Sequence, residues 1–125
     1  MSKIKQPTKE TGDRGEEIAV NHLKSKGYKI LNRNWRSGKL EIDIVTQIQD
    51  FIVFVEVKTR SRKDFDLPKD LFTVGQQKRI VNASHDYILS NDIDLEARFD
   101  LIIIVLDNPN SEMIEHIEEA FYPTL

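Results

Sequence analysis

Residues 51–60 read Phe-Ile-Val-Phe-Val-Glu-Val-Lys-Thr-Arg, an apolar run followed by alternating charged residues. Its apolar residues are β-branched or aromatic, which predicts a strand. Residues 41–48, Glu-Ile-Asp-Ile-Val-Thr-Gln-Ile, have the same character, and only Gln49-Asp50 separates the two stretches. Two such strands joined by two residues predict an antiparallel hairpin. Closing the hairpin at that turn sets Ile48 opposite Phe51.

Extending this register along the hairpin brings charged side chains together. Asp43 falls opposite Glu56, and Glu41 falls opposite Lys58. Since side chains alternate across a strand, the residues also divide between two faces. One face is predicted to carry Glu41, Asp43, Val45, Phe54, Glu56 and Lys58, and the other Ile42, Ile44, Val53, Val55 and Val57.

Two opposed carboxylates are costly in a sheet, and more so when they are shielded from water. A divalent cation relieves the repulsion, and converging carboxylates are the hard oxygen ligands that suit Mg²⁺ or Mn²⁺. Lys58 would stand beside such a metal as a compact positive charge. A Glu-x-Lys sequence alone is more often a solvated ion pair, and the opposed Asp43 is what favours a metal site here.

The rest of the chain predicts helices packed on a mixed sheet, in the order α-β-β-β-α-β-β. Residues 1–10 are expected to form a flexible tail, and residues 11–125 a single domain. The predicted elements are a helix from Thr11 or Gly12 to Lys26 stopped by Gly27, strands Tyr28–Trp35, Glu41–Ile48 and Phe51–Thr59, a loop over 60–72, a helix Gly75–Ser90, a strand Phe99–Leu106 buried on both faces, a turn over 107–110 and a strand Met113–Glu118.

Two helical residues lie in line with apolar stripes. Glu16 shares the face of Ala19, Val20 and Leu23, so its carboxylate could reach the sheet. On periodicity alone, an acid stabilised by the helix dipole is the better interpretation. Gln77 shares the predicted inner face of the second helix, which comprises Ile80, Val81, Ser84 and Ile88. It could orient water or contact phosphate, or it could be a polar residue at the helix edge.

Charge and composition bear on partners and location. The chain has a net charge of −3, but residues 1–63 carry +6 and residues 64–125 carry −9. A polyanion such as nucleic acid would therefore meet the N-terminal half, although uneven solvated charge is the alternative. Arg36, Arg60 and Arg62 suit phosphate contacts on the same terms. The absence of cysteine excludes thiolate chemistry, and a cytoplasmic location without membrane insertion is expected.

Several motifs together resemble one bacterial family, the YraN-like proteins. The resemblance covers nearly the whole chain from Gly12 to Phe121. It is carried by Gly12-x-x-Gly15-Glu16-x-x-Ala19, Asn34-x-Arg36, Glu41-Ile42-Asp43, Phe54-Val55-Glu56-Val57-Lys58-Thr59-Arg60, Arg98-Phe99-Asp100 and Ala120-Phe121. The chain departs from the family pattern where Lys39-Leu40 stand between Gly38 and the Glu-Ile-Asp block. It departs again at Gln76, where a lysine is common, so Lys78 is expected to supply that charge.

The resemblance implies a restriction endonuclease-like α/β fold, similar to Holliday junction resolvases, with a PD-(D/E)xK active site. It implies that Asp43, Glu56 and Glu16 are metal ligands, that Lys58 is the active-site lysine and that Gln77 is a further catalytic residue. The activity expected from it is Mg²⁺-dependent cleavage of DNA, with Mn²⁺ as a substitute and branched DNA as a structure-specific substrate. An inactive nucleic-acid-binding domain, or a protein-interaction domain that forms a homodimer, is the alternative on the same fold.

Overall fold

The computed structural model describes residues 9–61, 72–108 and 111–123. The elements, in chain order, are α1 (Lys9–Ser25), β1 (Lys29–Ser37), β2 (Leu40–Ile48), β3 (Phe51–Arg60), α2 (Val74–Ser90), β4 (Glu96–Asn108) and β5 (Ser111–Ile117). The predicted order of helices and strands is confirmed. Helix α1 begins at Lys9, inside the predicted tail. Residues 1–8 of that tail lie outside the described residues, as do most of the predicted loop and residues 109 and 110 of the predicted turn. Residues 107 and 108, the first half of that turn, belong to β4 instead.

The five strands form one mixed sheet in the order β1-β2-β3-β4-β5. All neighbouring strands are antiparallel except β3 and β4, which are parallel. A parallel pair needs a long crossover connection, and α2 lies within it. The strand predicted to be buried on both faces is β4, in which Phe99 to Ile104 are at most 5% exposed.

The sheet separates two apolar cores. The core on the α1 side includes Ala19, Val20, Leu23, Tyr28, Ile44, Val53, Val55, Ile102 and Ile104. The core on the α2 side includes Ile42, Val45, Ile52, Phe54, Phe72, Ile80, Ala83, Tyr87, Phe99, Leu101 and Ile103. The faces predicted for β3 are therefore right, because Phe54 lies in the α2-side core whereas Val53 and Val55 lie in the α1-side core.

The predicted hairpin register is confirmed from the turn as far as the pair Ile44–Val55. The ladder between β2 and β3 ends there, whereas β2 stays paired with β1 to Leu40 and β3 stays paired with β4 to Arg60. The two strands consequently diverge. The extension of the register to backbone pairs at Asp43 and Glu41 is therefore wrong, because each strand follows its outer neighbour.

Strand β2 also departs from the predicted alternation. Ile42 and Ile44 were predicted to share a face, but Ile42 lies in the α2-side core and Ile44 in the α1-side core. The residue between them, Asp43, stands opposite Asn34 at a step that the β1–β2 ladder skips. Asn34 has a left-handed backbone, with φ of 51°. Asparagine tolerates that conformation better than most residues do. The left-handed residue in β1 therefore interrupts the alternation of side chains. Beyond it, the paired ends of β1 and β2 present Ile42 to the α2 side of the sheet.

Helix α1 contacts β3 through a glycine. A Cβ atom built on Gly15 would collide with Oγ1 of Thr59 and would lie 3.0 Å from both its Cβ and its Cγ2. Thr59 is itself 5% exposed, so it has little room to move. This close approach sets the distance between α1 and β3. The contact lies one residue after Lys58 on β3 and one residue before Glu16 on α1.

A buried polar network joins α1, β4 and β5, and its Arg98 guanidinium lies 5.6 Å from the ring centroid of Phe51 at the start of β3. Asp100 is fully buried and accepts hydrogen bonds from Arg98 at 2.8 and 2.9 Å and from the backbone N of Glu119 at 3.2 Å. Nε2 of His116 lies 2.7 Å from the same carboxylate. Burial alone would raise the pKa of Asp100, but the hydrogen bonds from His116 and Arg98 hold it below its ordinary value. The ionised Asp100 thus compensates the buried guanidinium of Arg98.

Neither helix within the described part of the chain has the length and apolar character needed to cross a bilayer.

Candidate functional site

The divergence of β2 and β3 opens a polar cavity on the α2 side of the sheet. Its volume is about 220 Å³, and it is lined by Lys39, Leu40, Glu41, Asp43, Glu56, Gln76, Arg79 and Ile80. These residues come from the β1–β2 turn, the two diverging strands and the first turns of α2. The two acids predicted from the hairpin register therefore reach one cavity, although their backbones are not paired.

The Asp43 carboxyl group fills the gap that the interrupted ladder leaves. Its Oδ2 accepts a hydrogen bond of 2.8 Å from the backbone N of Val57, on the strand that β2 has left. A buried N–H needs such a partner. Burial first, and the negative charge of Glu56 second, raise the pKa of Asp43 to about 8, against an ordinary value of 3.8. Asp43 therefore holds a proton more tightly than an ordinary aspartate does, and a cation could take the place of that proton.

Glu56 and Lys58 leave the same face of β3 and form an ion pair. The distance between Nζ of Lys58 and Oε2 of Glu56 is 3.1 Å, and the side chains are 13% and 19% exposed respectively. Both charges are mostly withdrawn from water, where an ion pair is stronger than at the surface. The lysine thus neutralises one acid of the pair and leaves the other, Asp43, without a cation.

Glu16 approaches Asp43 from α1, outside the cavity itself. Its Oε1 atom is buried and has no hydrogen-bond partner among the residues that the structure describes, which is an unusual state for a carboxylate oxygen. Burial raises the pKa of Glu16, and a hydrogen bond with the Asn34 side chain opposes that rise. The charge of Glu16 in turn raises the pKa of Asp43. Asn34 therefore serves the site twice, since its backbone interrupts the alternation of side chains and its side chain holds Glu16.

The donors at this site fit a hard divalent cation. Glu16, Asp43 and Glu56 supply only oxygen atoms, which suits Mg²⁺ and Mn²⁺ and disfavours softer metals. The unpartnered Oε1 atom and the raised pKa of Asp43 are both relieved by positive charge. Among the residues that the structure describes, no three acidic or histidine side chains already form a complete metal-binding group. Two acids converge in the cavity, and the third stands beside them.

The other residues predicted to act at the site lie elsewhere. Gln77 donates from Nε2 to the carbonyl oxygen of Phe72 at 3.1 Å. With Lys78 it lines a separate cavity of about 240 Å³ under the C-terminal residues. The predicted inner face of the second helix is therefore displaced. The buried residues of α2 are Ile80, Ala83, Ser84 and Tyr87, so the side of the helix that meets the acids carries Gln76 and Arg79 instead.

The predicted phosphate contacts are also spread over the surface. Arg36 pairs with Glu41 at 3.1 Å at the rim of the cavity, and its side chain is 72% exposed. The guanidinium of Arg60 donates to the carbonyl oxygen of Thr59 at 2.7 Å. Arg62 lies outside the described residues. Glu41, which was predicted to face Lys58, is engaged with Arg36 instead.

Four further residues shape the site, and sequence reasoning did not select three of them, Leu40, Gln76 and Arg79. Lys39, Leu40 and Gln76 line the cavity, and they are the positions at which the chain departs from the family pattern. Gln76 also completes the capping box of α2, in which its Oε1 accepts from the backbone N of Thr73. The fourth residue is Arg79. A capping-box pattern, Thr followed by Gln three residues later, was the available signal that fixes where α2 begins and hence which residues face the acids.

The protein is an α/β domain in which two neighbouring strands of a mixed sheet, β2 and β3, diverge. The acids Asp43 and Glu56 line the cavity at the point of divergence. A family model described as "Uncharacterised protein family UPF0102" matches residues 15–104. The chain belongs to this family, which confirms the resemblance drawn from its motifs.

Relatives match over nearly their whole length. The chain is 45% identical over 111 residues to UPF0102 protein FP2501 of Flavobacterium psychrophilum, covering 89% of this chain and 92% of the relative. It is 44% identical over 116 residues to a UPF0102 protein of Bacteroides thetaiotaomicron, with 93% and 95% covered. It is 46% identical over 114 residues to UPF0102 protein BF0634 of Bacteroides fragilis, with 91% and 93% covered. These names state no activity.

Proposed function

We propose that this protein is a Mg²⁺-dependent endonuclease that hydrolyses phosphodiester bonds of DNA, with branched DNA as its structure-specific substrate. One observation carries the proposal. The Asp43 carboxyl group is buried against Glu56, in a cavity open to solvent, with its pKa raised to about 8. A fold that only needed to fill this space would use apolar side chains, because two buried acids cost stability.

Glu16, Asp43 and Glu56 would hold the metal. When bound, Mg²⁺ would polarise the scissile phosphate and acidify the attacking water. Hydrolysis requires that a water oxygen bond to phosphorus, that the bond from phosphorus to the leaving sugar oxygen break, that the water lose a proton and that the leaving oxygen gain one. The residues of the chain must therefore orient a water molecule and offset charge at phosphorus.

Lys58 suits the second task. Its ammonium group already holds Glu56 at 3.1 Å, and only 13% of the side chain is exposed. A fixed positive charge in a site largely withdrawn from water stabilises developing negative charge more strongly than a solvated one does. The unpartnered Oε1 of Glu16 can accept a hydrogen bond from water, and this would help with orientation.

The test is cleavage by purified protein of supercoiled, linear, nicked and four-way-junction DNA in Mg²⁺ or Mn²⁺. Asp43→Asn and Glu56→Gln conserve shape and remove one ligand charge each, and we expect each to lower the rate on the order of 100-fold or more. The matched control is Glu17→Gln. Glu17 follows Glu16 on the same helix, but it pairs with Arg33 and its side chain is 57% exposed, so cleavage should be unchanged.

Two results would refute the proposal. One is cleavage that persists in both variants of the acid pair. The other is an intact wild-type protein that cleaves none of these DNAs with either metal. Metal-independent DNA binding in that second case would favour the inactive nucleic-acid-binding alternative.

A further inference from the structure

One arginine stands apart from the other arginines of the described residues. Arg33, Arg36 and Arg98 form ion pairs, Arg14 lies 4.0 Å from Glu112, and Arg60 donates to a carbonyl oxygen. Arg79 forms no ion pair or hydrogen bond within the described ranges. It nevertheless lines the cavity that holds Asp43 and Glu56. An unpaired guanidinium beside an acidic site has its donors available for an anionic ligand.

The position of the Arg79 side chain follows from the helix. Side chains on a helix lean toward its N-terminus, so the guanidinium lies about one turn back from its own Cα atom. Nη1 of Arg79 would lie 3.7 Å from a Cβ atom on Gly75, which is an ordinary contact distance. The guanidinium therefore stands over the first turn of α2, with room left by the absent side chain of Gly75.

Lys39 faces the same cavity from the β1–β2 turn. It too is exposed and makes no ion pair or hydrogen bond within the described ranges. Lys58, by contrast, is committed to Glu56 at 3.1 Å. Lys58 is therefore already paired with an acid, whereas Arg79 and Lys39 line the cavity and can bind an anionic ligand.

We propose that Arg79, assisted by Lys39, binds a backbone phosphate of the DNA next to the phosphate that is cleaved. This inference rests on the proposed function, and it adds the residues that hold the substrate in the cavity. The planar guanidinium offers paired donors that match a phosphate, whereas the lysine offers a point charge. The phosphate contact of α2 is then Arg79, rather than the Lys78 predicted from the sequence.

The experiment measures binding without turnover. In the Asp43→Asn background, the affinity for fluorescently labelled linear duplex and four-way junction DNA is measured over a series of salt concentrations. Arg79→Ala should weaken binding by roughly tenfold or more, and lower the slope of log affinity against log salt by about one. Arg79→Lys should retain the slope because it keeps the charge. Lys39→Ala should lower the slope in the same way. Lys24→Ala, an exposed cation near the far end of α1, is the control and should change neither quantity.

The possible failures are distinguishable. If the parent binds DNA and Arg79→Ala binds it with equal affinity and equal salt slope, the assignment of Arg79 is overturned while the proposed function stands. If the parent binds no DNA and the wild type cleaves none, the proposed function fails and this inference fails with it. If the wild-type protein cleaves DNA, Arg79→Ala should raise KM more than it lowers kcat, because Arg79 binds a part of the substrate that does not react.

Discussion

The buried acid pair makes a prediction about stability as well as catalysis. Asp43 has a pKa of about 8 in the folded protein and an ordinary value of 3.8. The folded state therefore holds its proton more tightly than the unfolded state does. The contribution of the protonated Asp43 to stability is fully present below pH 3.8 and is lost as the pH rises through about 8. At about 1.4 kcal/mol for each pKa unit, the loss across this range is at most about 6 kcal/mol.

The perturbation is Asp43→Asn, measured by urea unfolding in EDTA across that pH range. The amide oxygen can still accept from the backbone N of Val57, and the new NH2 group can donate to Glu56. The variant should lack the pH-dependent loss and should be more stable than wild type by several kcal/mol above about pH 8. Glu56→Gln should reduce the loss without abolishing it, because burial is the larger cause of the raised pKa. Asp94→Asn, an exposed carboxyl, is the control.

Parallel curves for wild type and Asp43→Asn over the whole range would refute the reasoning, since they would mean that Asp43 has no raised pKa in the fold. A second readout is available in the same assay. Mg²⁺ should restore stability to wild type at alkaline pH, because a cation replaces the proton. It should do less for Asp43→Asn.

Two further predictions concern the frame that holds the site. Gly15→Ala should destabilise the protein by about 1–3 kcal/mol, because its Cβ would collide with Thr59. Gly12→Ala on the same helix meets nothing within 4 Å and should be neutral or stabilising, so equal effects in thermal unfolding would contradict the packing argument. Asp100→Asn should cost about 3–5 kcal/mol, because it leaves the buried charge of Arg98 poorly compensated. A loss below about 1 kcal/mol in urea unfolding would show that the network does not stabilise the fold.

The hairpin could be predicted from sequence because its signals are local. Alternation with a period of two and a two-residue connection fix the register from the turn to the pair Ile44–Val55, and Asp43 and Glu56 are the next residues on the two strands. The point at which the register stops could not be predicted in this way. It depends on β1 and β4, which hold β2 and β3 in diverging directions.

The remaining errors have local and long-range causes. The left-handed backbone of Asn34 breaks alternation, and an asparagine in a strand pattern does not reveal it. The buried face of α2 centres on Ala83 and Tyr87, and the Tyr87 hydroxyl donates to Asn32 on β1 at 2.6 Å. This contact orients the helix so that Gln76, rather than the predicted Gln77, lines the cavity with the two acids. The contact of His22 with His116, at 3.2 Å, joins residues 94 positions apart, and no short-range pattern reports such a pair.

The hydrogen bond from Val57 N to Asp43 also bears on how the opening is maintained. The apolar pattern of β2 and β3 would allow the ladder between them to continue. At the Ile44–Val55 pair the next free N–H is taken by a side chain instead of a carbonyl group. Asp43 therefore takes the place of a carbonyl group of β2 as the partner of that N–H. One side chain thus satisfies the backbone of β3 and faces Glu56, so the opening and the acid pair depend on the same residue.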